Sequence, residues 1–309
     1  MTTRRQHTVP AFYLRRFCIS PQCNKIVQYD KQTANNRIIS IANASVVNNC
    51  YSFRDKDGCW NDAAERDIAR IESQAAPLFD SIIDSPSKQL TSDNRATLAK
   101  FFVLQMKRAH VYSKYRDQEL ARMINDNDSL LSTLEDNKAK LARRYGPGEV
   151  ARVRQEIQAG KLPENDYRAQ ARKASLRVML ESIDDASRRL DTMNWQILKA
   201  KHGEAFISSD LPAYVRKAET YDGDGILGLD RADLNAEFFM PLSPCRFFRA
   251  SHKPVNATVN ASKTRVRELN TRTVRMAHRW VFTHKVSSIT SDLVVQYAGC
   301  PTPLPSLDY

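Results

Sequence analysis

The sequence predicts an α+β fold: a small, mostly antiparallel sheet packed by long helices, with a charged helical insertion. Three observations carry this. Short β-rich stretches appear early in the chain and again in its last third or so, for example Ile26-Val27-Gln28-Tyr29 and Trp195-Gln196-Ile197-Leu198. Long segments with apolar residues at helical spacing lie between them. From Asn125 to Arg189 the texture becomes polar, charged and helix-favouring, broken by "YGPGE" and "GKLPEND". At 309 residues the chain reads as a single domain, with an arm or insertion at about 125–190.

The elements follow in order. In "RRQHTVPAFYLRRF" (4–17), Pro10 forces extended backbone on Val9 and is placed to open a short helix. Phe12, Tyr13, Leu14 and Phe17 would anchor that helix, holding His7 just outside its start. "IVQYDKQTANNRIISI" predicts a hairpin with its turn at "TANN". "NDAAERDIARIESQAAPLFDSII" predicts a helix capped by Asn61 or Asp62 and kinked or interrupted at Pro77. A longer helix is expected from Thr91 or Ser92 to about 123. Its residues Leu98, Phe101, Phe102, Leu104 and Met106 are broad enough for burial on several sides.

After the insertion, strands are expected at 195–198, at Ala205–Ile207 and around Pro241 and Pro244. A late helix carries Val266, Leu269, Val274 and Ala277 as its inner stripe, with arginines outside. "LVVQYAGCPTPLPSL" reads as a last strand before a proline-rich tail, and "DGDGILGLD" (222–230) as a loop without the full calcium-loop pattern.

Composition bounds the partners. No apolar run approaches the roughly 20 residues of a membrane span, and no apolar stretch follows the N-terminal charges, so neither membrane insertion nor a secretory signal is expected. Six scattered cysteines, none in a C-x-x-C pair, argue for reduced thiols and a cytoplasmic chain. Net charge is +12, and residues 246–285 hold ten Lys/Arg against one acid, Glu268. That bias suggests a polyanion such as nucleic acid, DNA or RNA, with Arg265, Arg272, Arg275 and Arg279 as backbone contacts. A merely solubilising surface is the alternative.

Several residues carry candidate chemistry. His7 is suited to acid–base work or metal ligation if the N-terminal segment is ordered. Glu65 lies near the apolar boundary of its helix, where a carboxylate tends to be paired or functional. Gln105 and Arg108 sit in the most apolar helix, as "LQMKR": a buried amide needs partners, and an arginine can clamp a phosphate or carboxylate. In "FISSDLPA", Asp210 follows a strand and precedes Pro212, a place where catalytic carboxylates and metal ligands occur. A self-satisfied turn accounts for the same residues.

These pieces together resemble the domain-of-unknown-function family DUF4238, found mainly in bacteria. The match rests on "QHTVPAFYLRRF", the glutamate of "AAERDIARIE", "LQMKR", "FISSDLP", "MPLSP" and the late "RELNTRTVRMAHRWVF". The family is described by a Gln-His motif near the N-terminus and a Ser-Asp-x-Pro motif toward the C-terminus. Leu211 stands where the family often has Asn. The resemblance implies that His7, Glu65, Gln105, Arg108 and Asp210 share one site, but supplies no reaction.

Two functional expectations stay open. One is a metal-dependent nuclease or phosphodiesterase, of the kind associated with phage-defence loci. In it Asp210 and Glu65 hold Mg or Mn, His7 serves as ligand or general acid/base, and Arg108 steadies the phosphate. The other is a non-catalytic nucleic-acid-binding or protein-interaction module whose polar cluster is structural. The arm could also serve homodimerisation.

Overall fold

The structure, a computed structural model, describes residues 4–55, 58–84, 90–109, 127–159, 164–216, 224–225 and 234–302. It is α+β, as the sequence predicts. Strands β1 (Arg5–His7) and β4 (Val46–Asn48) form an antiparallel ribbon, with His7 opposite Val46. Strands β2 (Lys25–Asp30) and β3 (Asn36–Ser40) are the predicted hairpin. They belong to a four-stranded sheet, completed by β8 (Ser208–Ser209) and β14 (Trp280–Thr283), in the order β3-β2-β14-β8. β5 (Phe53–Arg54) and β6 (Trp60–Asn61) make a small second ribbon.

The largest sheet contains β7 (Asn194–Ala200), β9 (Tyr214–Arg216), β10 (Asp224–Gly225), β11 (Glu237–Ser243), β12 (Arg246–Ser251) and β13 (Thr258–Ala261). Its order is β10-β9-β11-β12-β7-β13, and every pairing but β13 with β7 is antiparallel. Pro241 cannot donate to a ladder. β11 accommodates it with a register shift between Pro241 and Ser243, and the Pro241 carbonyl accepts from the Tyr13 hydroxyl at 2.7 Å. Tyr13 also shares a 2.7 Å hydrogen bond with Ser208 Oγ, so the short helix α1 (Ala11–Leu14) ties both sheets together.

Helices α2 (Ala63–Asp84) and α3 (Ser92–Lys107) run antiparallel. Phe79 meets Phe101 at 5.6 Å near one end, and Glu72 meets Arg108 near the other. The Asn61 side chain accepts from Ala63 N, and Thr91 Oγ1 from Asn94 N. Of the two outcomes expected at Pro77, interruption does not occur: α2 continues through it. One backbone bond is lost there, but burial of Ala75, Phe79, Ile82 and Ile83 holds the last turns in place. The expected extension of α3 beyond residue 109 falls on 110–126, outside the described residues.

The charged insertion divides in two. Helices α4 (Asn127–Asp136), α5 (Lys138–Tyr145) and α6 (Pro147–Gln158) pack on one another around Leu134, Val150 and Ile157. Gly146, at φ 87°, makes the break between α5 and α6. The long helix α7 (Glu164–Thr192) behaves differently from an arm: Leu176, Met179, Ile183, Ala186 and Leu190 enter the main core beside α3. Dense surface charge masked this stripe in the sequence.

Two further expectations change. Ala205–Ile207 is not a strand. The Asn270 side chain replaces the ladder there, accepting from Ile207 N at 3.1 Å and donating to Ala205 O at 2.8 Å. The run near 293 is helical: α9 (Ser288–Gln296) is capped by Ser287, whose Oγ accepts from Thr290 N at 3.1 Å. The cap and a two-sided burial of Leu293 and Val294 outweigh β-branched propensity. The late basic helix, α8 (Lys263–Met276), forms as expected, with Ser262 as its cap.

Candidate functional site

The Gln-His pair divides its work. Gln6 is buried; its Nε2 donates to Ser52 Oγ at 2.8 Å, and its Oε1 accepts from Tyr51 N at 2.6 Å. It thereby fastens the loop after β4 to β1. His7 is half-buried, and its Nδ1 lies 3.1 Å from the Ala44 carbonyl. A carbonyl only accepts, so Nδ1 carries the proton and Nε2 is left as an acceptor. Burial, reinforced by the nearby Arg108, pushes the imidazole pKa below its ordinary value.

Arg108 caps the C-terminus of α3 and is 2% exposed. Its guanidinium pairs with Glu72, donates to the His7 carbonyl, and donates through Nε to the Tyr51 hydroxyl at 3.2 Å. The Tyr51 hydroxyl in turn donates to the Arg108 carbonyl at 2.9 Å. Burial opposes the arginine charge, but Glu72 and Tyr51 more than offset it and hold the pKa above its ordinary value. Arg108 is thus a joint between α2, α3, β1 and the loop at 51.

Glu65 faces the same cluster. Burial raises its pKa against the pull of Arg108, and its Oε2 is buried with no hydrogen-bond partner. Gln105 lies between Phe101 and Arg108 on one stripe of α3. It is 1% exposed, and neither atom of its amide finds a partner.

Asp210 anchors a different structure. Its Oδ1 accepts from His278 N at 2.9 Å; its Oδ2 accepts from Arg279 N at 2.9 Å and Trp280 N at 3.1 Å. Its own N–H donates to the Trp280 carbonyl. Burial raises the carboxyl pKa, and the three backbone donors work against that rise. From the other side, Lys31 Nζ donates to the carbonyls of Arg275 and Ala277, both at 2.9 Å. A buried ammonium and a buried carboxylate therefore grip the junction between α8 and β14, the first at residues 275 and 277 and the second at 278–280.

This junction lines a cleft of about 380 Å³, with Asp210, His278, Arg279 and Trp280 joined by Gln32 of the adjoining β2–β3 turn and by Thr8 and Ser45 at the β1–β4 ribbon. Val46, Val47 and Ala109 complete the lining. Ser45 has a left-handed backbone, φ 54°, which a non-glycine residue seldom adopts. It is held by Thr8, whose N–H donates to the Ser45 carbonyl at 2.8 Å.

The predicted residues therefore fall into two neighbourhoods. His7, Glu65 and Arg108 gather on one side with Glu72 and Tyr51, while Asp210 belongs to the turn at 278–280. Thr8 and Ala109, chain neighbours of His7 and Arg108, bring the first group to the edge of the cleft that Asp210 lines. Asp210 and Glu65, expected as paired metal ligands, answer to different partners. Among the described residues no group of three or more His, Cys, Asp or Glu is placed to hold a metal ion.

The basic residues are less bare than their sequence suggested. Arg265 and Arg272 both pair with Glu268, and both lie 5.9 Å from the Phe239 ring. Arg275 contributes its carbonyl to Lys31. Arg279 donates to Asp30 and lies 4.3 Å from the Trp280 ring centre, with Arg37 at 5.2 Å from the same ring.

Sequence reasoning missed Lys31, Thr8, Ser45, His278 and Trp280. The tandem "HRW" at a helix-to-strand junction was a usable signal for the last two. A lone lysine in a turn was not one for Lys31. No helix among the described residues is long and apolar enough to cross a membrane.

A family model described as "Protein of unknown function (DUF4238)" matches residues 5–287, and the chain belongs to that family. No curated protein and no solved structure matches the chain.

Proposed function

We propose that this member of the DUF4238 family binds nucleic acid at the cleft between the β1–β4 ribbon and the turn at 278–280. On this reading the polar clusters around Asp210 and Arg108 are its frame. One observation carries it: both Asp210 oxygens are spent on the backbone N–H groups of His278, Arg279 and Trp280, which then present a cation and an aromatic ring to the cleft. The +12 net charge supports a polyanionic partner.

The test is binding of fluorescein-labelled DNA and RNA oligonucleotides, followed by anisotropy. Affinity should fall at least tenfold between 50 and 200 mM salt, through loss of counterion release. A flat salt response, or no binding at 50 mM, overturns the proposal.

A catalytic reading keeps one specific support. Glu65 is a buried carboxyl with an unpartnered oxygen and a raised pKa, a state suited to acid–base work or to metal ligation with Mg or Mn. As a nuclease or phosphodiesterase, the chain should cleave labelled DNA or RNA when Mg or Mn is added. Cleavage abolished by Glu65→Gln, with unfolding unchanged, would replace the binding module with an enzyme. Intact oligonucleotides after prolonged incubation would retire that alternative.

A further inference from the structure

Resting on the nucleic-acid reading above, we infer that the cleft takes one unpaired nucleotide of a single strand, its base against Trp280 and the following phosphate at Arg279. Three observations lead there. The first is shape. The surface is concave, and about 380 Å³ lies at the small end of ligand pockets, suited to one nucleotide unit. Duplex recognition instead relies on a protruding helix or ribbon entering a groove, and the π-faces of paired bases are closed off by stacking. A base-sized hollow offers nothing to a paired base.

The second is the chemistry of the wall. Trp280 lines the cleft with guanidinium groups against its ring at 4.3 Å (Arg279) and 5.2 Å (Arg37). An indole with arginines over its ring is a combination that holds single strands: bases stack on aromatic rings and on guanidinium planes alike, and the cation meets the backbone. Arg279 donates to Asp30 Oδ2 through Nε at 3.2 Å and Nη2 at 2.9 Å. A guanidinium has five N–H donors, so capacity remains for a phosphate oxygen while the Asp30 bonds persist.

The third is rigidity. The Asp210 carboxylate fixes the backbone N–H of residues 278, 279 and 280, and Lys31 fixes the carbonyls of 275 and 277. The stacking wall is therefore set before a ligand arrives, so its ordering cost falls on folding and not on binding. Beside this wall, Gln32 sits in the β2–β3 turn, whose Lys31 N–H donates to the Arg279 carbonyl at 2.8 Å; a side-chain amide there can meet the edge of an unpaired base. RNA and DNA single strands share this chemistry.

The experiment uses the full chain with three fluorescein-labelled probes: oligo(rU)12, oligo(dT)12 and a 12-base-pair DNA duplex. Single strands should bind at least tenfold tighter than the duplex. Trp280→Ala should cost the single strands about tenfold or more, while duplex affinity stays within twofold. Because Trp280 is in β14, its alanine variant could unfold. Trp280→Phe, which keeps a stacking face, should retain most of the single-strand affinity. Arg279→Gln, at a half-exposed position, should lower single-strand affinity and reduce the salt slope by about one. Comparison of oligo(rU) with oligo(dT) separates the two sources.

Equal affinity for single strand and duplex, or single-strand binding untouched by Trp280→Phe, Trp280→Ala and Arg279→Gln alike, overturns this inference and leaves the nucleic-acid reading standing. Failure to bind any of the three probes at 50 mM salt overturns both.

Discussion

At the residue scale, two buried charges hold the molecule's polar joints, and their removal should read out as stability. Arg108 serves Glu72, the His7 carbonyl and Tyr51 together. Arg108→Met should cost about 3–5 kcal/mol, because it strands a half-buried carboxylate and two buried acceptors. Urea denaturation measures this, and a loss under 1 kcal/mol would mean the cluster is not a joint. For Asp210→Asn, an amide N–H₂ must face one of the three backbone donors. About 1.5–3 kcal/mol should go with that mismatch. His7 gives a pH signature. Its folded pKa is lowered, so the unfolded chain takes up the proton first as pH falls below about 6.5. The stability due to neutral His7 is present above that pH and is lost as pH falls toward the depressed value. His284, also lowered by burial, adds the same sign. The raised carboxyls, Glu65 and Asp210, act oppositely at lower pH: they favour folding when protonated and weaken it as they ionise. Comparing wild type with His7→Asn isolates the first contribution. The melting temperature of the variant should fall less between pH 7 and 5.5, and parallel curves would exclude His7 as a contributor.

At the element scale, the sequence was most legible where one local rule decided the outcome. The β2–β3 hairpin, the capped starts of α2 and α3, and the stripe of α8 all follow from spacing and caps. Elements settled by distant partners were not legible. The stretch 205–207 carries strand residues, but Asn270, more than sixty positions away, satisfies its backbone in place of a neighbouring strand. That substitution makes a prediction. Asn270→Ala leaves the Ile207 N–H and Ala205 carbonyl without this partner and should cost about 1–3 kcal/mol. The amide of Ile207 should then lose much of its hydrogen-exchange protection; unchanged protection would show that Asn270 is incidental. The same logic explains the candidate site. Motif residues could be picked from the sequence one by one, yet the division into an Arg108 cluster and an Asp210 turn depends on which sheet each segment joins. No local pattern encodes that choice. The Lys31 grip was invisible for the same reason, since its two carbonyls lie some 245 positions onward.

At the scale of the whole molecule, the described residues form one large core and two smaller clusters, one joining Val27 and Tyr29 to Val274, Val281, Leu293 and Val294, the other within the insertion. The main core runs from Val9 and Tyr13 through α2, α3 and α7 to β11, β12 and Phe282, so it draws on nearly the full length of the sequence. The N-terminal segment is part of it: Tyr13 and Phe17 are fully buried, and Phe12 meets Phe79 at 5.9 Å and Phe101 at 5.3 Å. Helices α4 to α6 close instead around Leu134, Val150 and Ile157, with none of these residues in the main cluster. Burial stabilises each group according to its own apolar contacts, so the two units should open separately. Replacing 127–158 with a short Gly/Ser linker should leave the body folded, its melting temperature within a few degrees of the intact chain. Deleting residues 4–17 should abolish cooperative unfolding, because it removes Tyr13 and Phe17 from the centre of the core and withdraws the His7 carbonyl from Arg108. Calorimetry on both truncations checks the contrast. If excision of 127–158 unfolds the body while loss of 4–17 is tolerated, the small helical cluster is the nucleus and the N-terminal segment the accessory, the reverse of what the burial pattern dictates.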